Sequence, residues 1–400
     1  MKVVQVNAIY GRKSTGTIVR EIKSCCERNG IECYVAYSVA DRPGSKVPDG
    51  YRIGSKLTAK WHALLSRICG KQAYFNRLTT WRFLRWLDRL KPDVVHLHNL
   101  HSNYIHLNML LRYLAKRDIP TVITFHDCWY FTGGCVHYTS VGCDRWKTGC
   151  GHCPQLKEIP SWFLDSTASV LRDRARFLNA IPHLSIVCVS EWIAGQVRGS
   201  VLREKPVLVI YNGFDLDIFR PRTSEIRERL GIKDRFVILG PADKWLLPVN
   251  AQTMKYFLDK MPDDTVLVLF GSSPAVVDSP KIISLGYIKD RDEMARVYSM
   301  ADVFVNCSRE DTLSSLNLEC QACGTPVVTY DATGSKETVD NQCGFAVETG
   351  NCPDLWDRVL EVRRVGKASL SSACRDFVRS RFEKTSNYME YIDLFSNIGA

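Results

Sequence analysis

Short apolar runs alternate with longer amphipathic segments along the whole chain. Runs such as Thr265–Phe270 and Asp302–Asn306 are rich in β-branched and other apolar residues, which predicts short buried strands. Segments such as Thr15–Arg28 and Arg291–Met300 carry apolar residues three and four positions apart, which predicts helices with one buried face. Strands and helices that alternate in this way are typical of parallel sheets covered by helices on both faces. The pattern therefore predicts an α/β fold.

The alternating series occurs twice, and the interruption between the two copies predicts a domain boundary. Asn212-Gly213 and the sequence Arg220-Pro221-Arg222 break the pattern, because Gly and Pro end regular elements. We predict an N-terminal Rossmann-like domain over residues 1–211 and a second Rossmann-like domain over 212–384. The final helix, 385–400, either stays with the second domain or crosses back to the first.

Length and hydropathy narrow the class of protein further. The chain has 400 residues, of which 45% are hydrophobic, and this is too long for a single core. It contains no run of about 18 apolar residues, so no transmembrane helix is predicted. The first residues already have the pattern of a strand and lack that of a signal peptide, so we expect a cytoplasmic protein.

The positive charge is concentrated in one region. The chain carries a net charge of +10, and Lys and Arg crowd residues 52–91, where Trp61, Trp81 and Trp86 lie between them. One interpretation is a solvated basic helix face. Another is a surface that docks on anionic lipid headgroups at the cytoplasmic face of a membrane, or on an acceptor linked through pyrophosphate. Nucleic acid is disfavoured because no recognised nucleic-acid module is present.

The most informative stretch is residues 308–328. A predicted strand leads into a loop with the adjacent acids Glu310 and Asp311, and a helix that begins near Ser314 carries Glu319 and stops at Gly324. Nucleotides bind at the carboxyl ends of parallel strands, where helix N-termini attract phosphate. A carboxylate in this place can hold a ribose or sugar hydroxyl. Alternatively, the acids are ordinary surface charges.

The same stretch resembles the acid-x7-acid motif of family 4 retaining glycosyltransferases of the GT-B fold, with Asp311 and Glu319 at the two acid positions. Four further stretches are similar to signatures of that family: 93–98, 122–127, 209–221 and 334–345. The resemblance covers nearly the whole chain. Residues 308–328 and a cysteine-rich segment together most resemble the colanic-acid type of bacterial exopolysaccharide transferases.

The resemblance implies two Rossmann-like domains whose parallel sheets face each other across a cleft. It also implies an enzyme that moves a sugar from a nucleoside-diphosphate sugar to a lipid-linked or oligosaccharide acceptor, in the synthesis of bacterial surface polysaccharide. No catalytic metal is expected, because cationic side chains and helix-start amides would take the charge of the leaving diphosphate. The implied catalytic residues are His126, Asp311 and Glu310. The implied donor-binding residues are Gly16, Lys244, Glu319, Thr312, Leu313 and Ser314.

Gly16 belongs to a short loop after the first strand that is similar to the family's first glycine-containing loop. The alternative is a plain turn into a helix, capped by Thr15. The loop lacks the Gly-x-Gly-x-x-Gly turn of dinucleotide-binding oxidoreductases, which disfavours that third class of protein.

One departure from the family weakens the assignment of activity. The family carries a cation and, five residues later, a Lys-Gly pair that hold the donor diphosphate. Here Lys244 fits the first position, but Val249-Asn250 occupies the second. Lys255 and Lys336 are possible substitutes. The alternative hypothesis is therefore a catalytically weakened relative that binds nucleotide sugars or glycans as a partner.

The cysteine-rich segment, about residues 128–160, predicts a structural metal site. Cys150 and Cys153 have the two-residue gap common in zinc sites, and Cys135 and Cys143 complete a set of four thiolates. His137 and His152 are reserve ligands. We expect a structural zinc ion that orders a long loop, the alternatives being an iron–sulfur cluster and four unligated thiols. The remaining cysteines of the sixteen are typical of small buried residues.

Overall fold

A computed structural model describes residues 1–41, 47–158, 161–273 and 278–399; the last two positions of the predicted cysteine-rich segment lie outside these ranges. The chain forms two compact units. The first is Met1–Asn212 together with the segment that starts at Thr385, and the second is Gly213–Lys384.

The first unit contains a parallel sheet in which strand order is β3-β2-β1-β4-β5-β6-β7. Its strands are β1 (Lys2–Ile9), β2 (Glu32–Val39), β3 (Gly50–Arg52), β4 (Val94–Leu97), β5 (Thr121–Phe125), β6 (Leu184–Cys188) and β7 (Val207–Val209). Its helices before the second unit are α1 (Lys13–Arg28), α2 (Lys56–Cys69), α3 (Arg77–Leu90), α4 (Leu107–Arg117), α5 (Thr167–Asn179) and α6 (Glu191–Arg198).

The second unit contains a parallel sheet of order β10-β9-β8-β11-β12-β13. Its strands are β8 (Phe236–Pro241), β9 (Thr265–Phe270), β10 (Ile282–Gly286), β11 (Val303–Asn306), β12 (Val327–Tyr330) and β13 (Gly344–Val347). Its helices are α7 (Ile226–Arg229), α8 (Ala242–Trp245), α9 (Ala251–Lys260), α10 (Arg291–Met300), α11 (Ser315–Ala322), α12 (Cys352–Val365) and α13 (Lys367–Phe382). The last helix of the chain is α14 (Lys384–Ile398).

Burial explains why these runs are strands. Every residue of β4, β5, β9, β11 and β12 is buried, as expected for strands covered by helices on both faces. Neighbouring strands in both sheets are parallel. Val4 of β1 pairs with Val95 of β4, for example, and Ile238 of β8 pairs with Val303 of β11. The prediction of two parallel sheets is confirmed.

Each sheet reverses its strand order at one point, and this point positions the candidate site residues. In the first unit the reversal lies between β1 and β4, and in the second between β8 and β11. At such a point the loops that follow the two central strands run in opposite directions and leave a crevice, which is where open α/β sheets bind ligands.

Helix α14 packs against the sheet of the first unit, although it follows the second unit in sequence. Its buried residues Tyr388, Tyr391, Ile392 and Phe395 share an apolar cluster with strand residues that include Val3 and Val122. The Tyr391 hydroxyl lies 3.0 Å from Thr124 Oγ1 of β5. The sequence left two places open for this helix, and the packing of its aromatic face decides between them.

Candidate active site

The loop between β11 and α11 has the architecture that the sequence predicts. Strand β11 ends at Asn306, and α11 begins at Ser315 with Ser314 as its N-cap residue. The helix ends at Ala322, and Gly324 follows in a left-handed conformation with φ of +77°. Thr312, Leu313 and Ser314 are buried directly before the helix. The loop is therefore a fixed part of the fold, at the carboxyl end of a central strand.

Asn306 holds this loop in shape, and the sequence analysis did not single it out. Its side-chain Nδ2 donates to Ser314 Oγ at 3.0 Å and to Asn317 Oδ1 at 2.9 Å. Its Oδ1 accepts the Ser308 N–H at 3.0 Å. One buried amide thus joins the start of the loop to the start of the helix. A polar residue at the last position of an otherwise apolar strand is the signal that could have identified it.

Two amide side chains, Asn317 and Gln321, are buried on α11 beside its apolar residues. Asn317 Nδ2 donates to Thr338 Oγ1 at 2.8 Å, and Gln321 Nε2 donates to the Thr338 carbonyl at 2.6 Å. All three residues are buried. Buried polar groups that are paired in this way fix one orientation of the helix, because any rotation leaves a donor or acceptor without its partner.

Asp311 and Glu310 lie in the loop, as predicted. Asp311 Oδ1 accepts the Leu313 N–H at 3.3 Å, and the Asp311 N–H donates to Thr333 Oγ1 at 2.8 Å. The Glu310 carbonyl accepts the Ser308 hydroxyl at 3.1 Å. One carboxylate oxygen of Asp311 therefore stabilises its own turn, and the Leu313 amide already has a partner.

Glu319 lies on α11 beside Tyr298 of α10. Its Oε2 accepts the Tyr298 hydroxyl at 3.0 Å, and the residue remains partly exposed. Desolvation raises the pKa of the Glu319 carboxyl to about 7, against the opposing effects of the Tyr298 hydroxyl and Arg291. A charged carboxylate that has lost part of its water is destabilised. Hydrogen bonds from the hydroxyl groups of a ligand would therefore stabilise it strongly.

The stretch after β8 approaches the same loop. Lys244 lies on α8, and its carbonyl accepts Asn250 Nδ2 at 3.0 Å. The same Nδ2 donates to the Cys307 carbonyl at 2.9 Å, at the end of β11. Asn250 is fully buried, so its side chain ties the loops that follow β8 and β11 to each other. Asn250 therefore has a structural role at this position.

Arg309 is a second cation at this point, and the sequence analysis did not identify it. Arg309 Nε donates to Asn250 Oδ1 at 2.9 Å, and its NH2 group donates to the Val249 carbonyl at 3.0 Å. Burial raises the pKa of the Cys307 thiol to about 12, while Arg309 and Lys244 both act to lower it. Both cations therefore lie close to the end of β11. Lys244 lies 3.5 Å from the Asp243 carboxylate, and Lys336, a sequence-based substitute, lies 3.5 Å from that of Asp331.

In the first unit, His126 follows β5 and contacts His98, which follows β4. His126 Nε2 and His98 Nδ1 are 3.1 Å apart, and His98 Nε2 lies 3.2 Å from Gln5 Oε1. Gln5 Nε2 donates to the Val19 carbonyl, which fixes Gln5 Oε1 as the acceptor for His98. His98 Nε2 must then carry a proton. Neutral His98 accepts at Nδ1 from the protonated Nε2 of His126.

We call the hydrogen-bonded series His126–His98–Gln5 the relay. In the relay, Nε2 of His126 carries the proton, so the lone pair of the ring is on Nδ1. Burial lowers the pKa of His126 to about 4 and holds that of His98 well below its usual value, so both rings are neutral near pH 7. Neutral His126 can thus accept a hydrogen bond from a hydroxyl group. His96 has a different role, since its Nε2 lies 2.8 Å from Thr124 Oγ1 and its ring packs against Tyr391.

Gly16 lies inside the first turn of α1, at the end of β1. A Cβ atom at this position would lie 3.1 Å from the Ile9 carbonyl oxygen and 3.3 Å from the Gly11 nitrogen. Close packing of backbone on backbone therefore accounts for this glycine. Helix α1 begins at Lys13, so the alternative prediction of Thr15 as its cap is wrong.

The prediction of a four-thiolate metal site is not supported. Cys135, Cys143, Cys150 and Cys153 line one cavity of about 20 Å³. Within the described ranges, however, no group of three or more His, Cys, Asp or Glu side chains is placed to hold a metal ion. The Cys135 and Cys153 thiols instead share a hydrogen bond, which raises the pKa of Cys135 and lowers that of Cys153 to about 7.

The segment is ordered by aromatic packing instead. Trp129 and Trp146 are buried, and the buried Arg174 guanidinium lies 3.7 Å from the centre of the Trp129 ring. Arg174 also donates to the Thr132 carbonyl at 2.6 Å. Trp129 and Trp146 belong to the same apolar cluster as the sheet of the first unit, so the loop is held by the core of that unit.

Comparison with known families decides the class of this fold. The model of Glycosyltransferase Family 4 matches residues 15–218, just over half of the chain. The model of glycosyl transferases group 1 matches residues 244–364. The chain is a family 4 glycosyltransferase. The predicted family and the prediction of an enzyme are both confirmed.

This family 4 glycosyltransferase has relatives that match it from end to end. It is 22% identical over 424 aligned positions to the putative colanic acid biosynthesis glycosyl transferase WcaC of Escherichia coli (strain K12), and the alignment covers 100% of each chain. Its fold is similar to that of sucrose-phosphate synthase from Thermosynechococcus elongatus, with a TM-score of 0.71, 16% identity and coverage of 99% of this chain and 98% of that chain.

A second structural neighbour was solved with a nucleotide. Anabaena Alr3699/HepE in complex with UDP has a TM-score of 0.63 and 16% identity, with coverage of 99% of this chain and 100% of that chain. These neighbours confirm the GT-B fold class of the family 4 glycosyltransferase. In the described part of the chain, no helix is both long and apolar enough to cross a membrane.

Proposed function

We propose that this protein is a retaining glycosyltransferase of bacterial surface polysaccharide synthesis. It takes its sugar from a nucleoside-diphosphate sugar and delivers it to a lipid-linked or oligosaccharide acceptor at the cytoplasmic face of the membrane. The end-to-end similarity to a colanic acid transferase supports the pathway class. A neighbour solved with UDP-glucose supports the donor class. The observation that carries the proposal is the pair of cations, Lys244 and Arg309, at the point where strand order reverses.

The donor diphosphate is held by Lys244, Arg309 and the backbone before α11. A diphosphate needs more than one positive partner, because each charge-assisted hydrogen bond contributes only about 1.5–3 kcal/mol. Arg309 supplies the second cation, since its guanidinium is anchored on the Val249 carbonyl and on Asn250. Val249 in place of a Lys therefore does not remove the second charge from the site. The amides of Thr312 and Ser314 add to the positive end of α11.

The carboxylates bind the neutral parts of the donor. Glu319 accepts ribose hydroxyls, which replace the water that its partly buried carboxylate has lost. Asp311 and its neighbour Glu310 contact the donor sugar from a loop that Asn306 and Thr333 hold rigid. The loop that contains Gly16 approaches the donor through its backbone at the end of β1.

His126 acts at the reacting centre. Its neutral Nδ1 accepts a hydrogen bond from a hydroxyl of the donor sugar or acceptor, and the relay through His98 to Gln5 keeps this tautomer in place. His126 acts without a catalytic metal ion, so we expect transfer to continue in the presence of EDTA.

The test is a sugar-transfer assay with radiolabelled UDP- and GDP-sugars, preceded by a thermal-shift screen against the same nucleotides. We expect one nucleotide to stabilise the protein and its sugar to be transferred. Glu319→Ala should weaken nucleotide binding, and His126→Ala should slow transfer while the nucleotide still binds. Stabilisation by a nucleotide with no transfer of any sugar would favour a binding partner instead. Unchanged rates in both variants would remove the two assignments.

A further inference from the structure

Helix α2 buries its polar side and exposes its apolar side, the reverse of an ordinary surface helix. Only His62 and Ser66 of its fourteen residues are buried. His62 Nε2 accepts the Phe75 N–H at 3.4 Å, and Ser66 donates to Asn103 Oδ1 at 3.1 Å. These hydrogen bonds attach the helix to the first unit. The attachment uses polar contacts and leaves the apolar side chains to solvent.

The exposed apolar residues form one stripe along the helix. They recur at intervals of four, three, one and three positions, so all of them lie on one side of the helix axis. Their exposed fractions are large for their type: Leu57 65%, Trp61 60%, Leu64 49%, Leu65 38% and Ile68 43%. We call these five residues the α2 stripe. Single exposed apolar residues are normal, but a contiguous stripe marks an interaction surface.

Basic residues border the α2 stripe on one side. Lys56, Lys60 and Arg67 are separated by four and seven positions, which places them along the flank of the stripe, and all three are exposed. The sequence from Gly50 to Leu87 contains no Asp or Glu, while Lys and Arg are frequent in it. The charge next to the stripe is therefore positive without local compensation.

A neighbouring loop extends the apolar surface. Phe163 is 72% exposed, and its N–H donates to the Arg67 carbonyl at 2.9 Å, so it lies at the end of α2. Leu164 next to it is 58% exposed. The Arg67 guanidinium lies 6.0 Å from the centre of the Phe163 ring. An aromatic ring and a guanidinium side by side suit the boundary between headgroups and acyl chains.

We infer that the α2 stripe and its basic flank dock on a bilayer that carries anionic headgroups. An amphipathic helix with Trp and Leu on one face and Lys and Arg beside it lies in the plane of a membrane interface, with the stripe among the acyl chains and the cations on the phosphates. A second copy of this chain is disfavoured as the occupant, because two uncompensated basic flanks would repel each other. This inference does not depend on the proposed transfer reaction, although a lipid-linked acceptor would be met at the same surface.

The experiment is vesicle flotation with the full chain and no nucleotide sugar. Vesicles of phosphatidylcholine alone are compared with vesicles of phosphatidylcholine and phosphatidylglycerol at a molar ratio of 7:3. We expect the protein to float with the anionic vesicles, to remain unbound with the neutral ones, and to lose at least tenfold in apparent affinity when NaCl is raised from 0.1 to 0.5 M.

Two variants and one matched control separate the components of the surface. Trp61→Ser with Leu64→Ser should reduce binding to anionic vesicles at least tenfold, and Lys56→Gln with Lys60→Gln should also reduce it. The control is Tyr287→Ser with Leu360→Ser in the second unit, where the exposed fractions are 74% and 40%, and it should bind like the wild type. Equal circular dichroism and Tm show that each variant is folded, and transfer to a soluble acceptor should be unchanged in all three.

Three results would overturn the inference. The wild type could fail to bind anionic vesicles. The serine variant could bind as well as the wild type, which would reduce the contact to charge alone. Sedimentation could show a dimer that the serine variant loses, which would make a second copy the occupant. Because no nucleotide sugar is present, failure here leaves the transfer reaction standing, and absence of transfer leaves the docking surface standing.

Discussion

His126 Nε2 lies 3.1 Å from His98 Nδ1, and the second nitrogen of His98 is directed at Gln5 Oε1. This contact makes His98 a positioning residue for His126. We predict that His126→Ala lowers kcat about 100-fold or more, the usual range for loss of a catalytic hydrogen-bonding group. His98→Leu should lower kcat about tenfold without changing KM for the donor, because it releases the His126 tautomer and touches no substrate.

A double-mutant cycle checks the His98–His126 relationship. If His98 acts through His126, the His98→Leu change should have almost no further effect in the His126→Ala background. Additive losses would show that His98 has a separate function. His96→Leu is the comparison variant, since His96 packs on α14 and should alter stability rather than kcat.

Arg309 should be as important for the donor as Lys244. We predict that Arg309→Ala weakens nucleotide binding about 10- to 100-fold, which corresponds to one charge-assisted hydrogen bond. Because Val249 lies beside the guanidinium, Val249→Lys in the Arg309→Ala background should restore part of the affinity. Isothermal titration with the stabilising nucleotide measures both. Arg363→Ala, which removes an exposed ion pair with Asp264 elsewhere in the second unit, is the control.

The stability of the unliganded protein should depend on Glu319 and pH. Its folded pKa of about 7 is above the ordinary value of 4.5, so its contribution to stability is fully present below pH 4.5 and is lost as pH rises through 7. Glu319→Gln keeps an acceptor for the Tyr298 hydroxyl but cannot ionise. We therefore expect it to raise Tm by a few degrees at pH 8 and to leave Tm unchanged at pH 4.5.

Differential scanning calorimetry at the two pH values provides the check for Glu319. Tyr298→Phe is the control for the lost hydrogen bond, and it should lower Tm at both values. A Glu319→Gln variant that is less stable than the wild type at pH 8 would contradict the raised pKa.

Removal of the Asn306 side chain should loosen the loop of the acids. Asn306→Ala leaves Ser308, Ser314 and Asn317 without their buried partner, and we expect a loss of about 2–4 kcal/mol in the free energy of unfolding. Urea denaturation measures this loss. Thr338→Val, which removes one hydrogen-bond partner of Asn317 on α11, should lower the free energy of unfolding by less. A larger loss in that variant would show that Asn306 is not the centre of the network.

The thiols that line one cavity should differ in reactivity. The hydrogen bond from Cys135 lowers the pKa of Cys153 to about 7, whereas burial raises that of Cys150 to about 11. Iodoacetamide at pH 7 should therefore modify Cys153 well before Cys150, as followed by peptide mass spectrometry. Cys135→Ala should slow the reaction at Cys153. Metal content is measured on the same sample, because a bound ion would protect all four thiols and contradict the prediction.

Periodicity predicted more of the fold than of the site. Strands such as β9 and β11 are apolar at nearly every position, and only a sheet covered on both faces satisfies such a pattern. The loop acids and α11 were also predictable, because a cap region and a glycine stop are local features. The relay from Gln5 to His126 was not, since its members lie on or directly after three strands that are far apart in sequence.

The sequence by itself determined the two α/β series, the family and the position of Glu310, Asp311 and Glu319, because strand burial, helix signals and motif spacing are properties of neighbouring residues. Only the tertiary structure decided that Arg309 stands beside Val249, that α14 joins the first sheet and that Cys135 pairs with Cys153. Those relationships depend on which distant segments the sheets bring together, and no local preference encodes that choice. The exposed apolar side of α2 belongs to the same group, since a helical pattern shows that a stripe exists but not which side the protein covers.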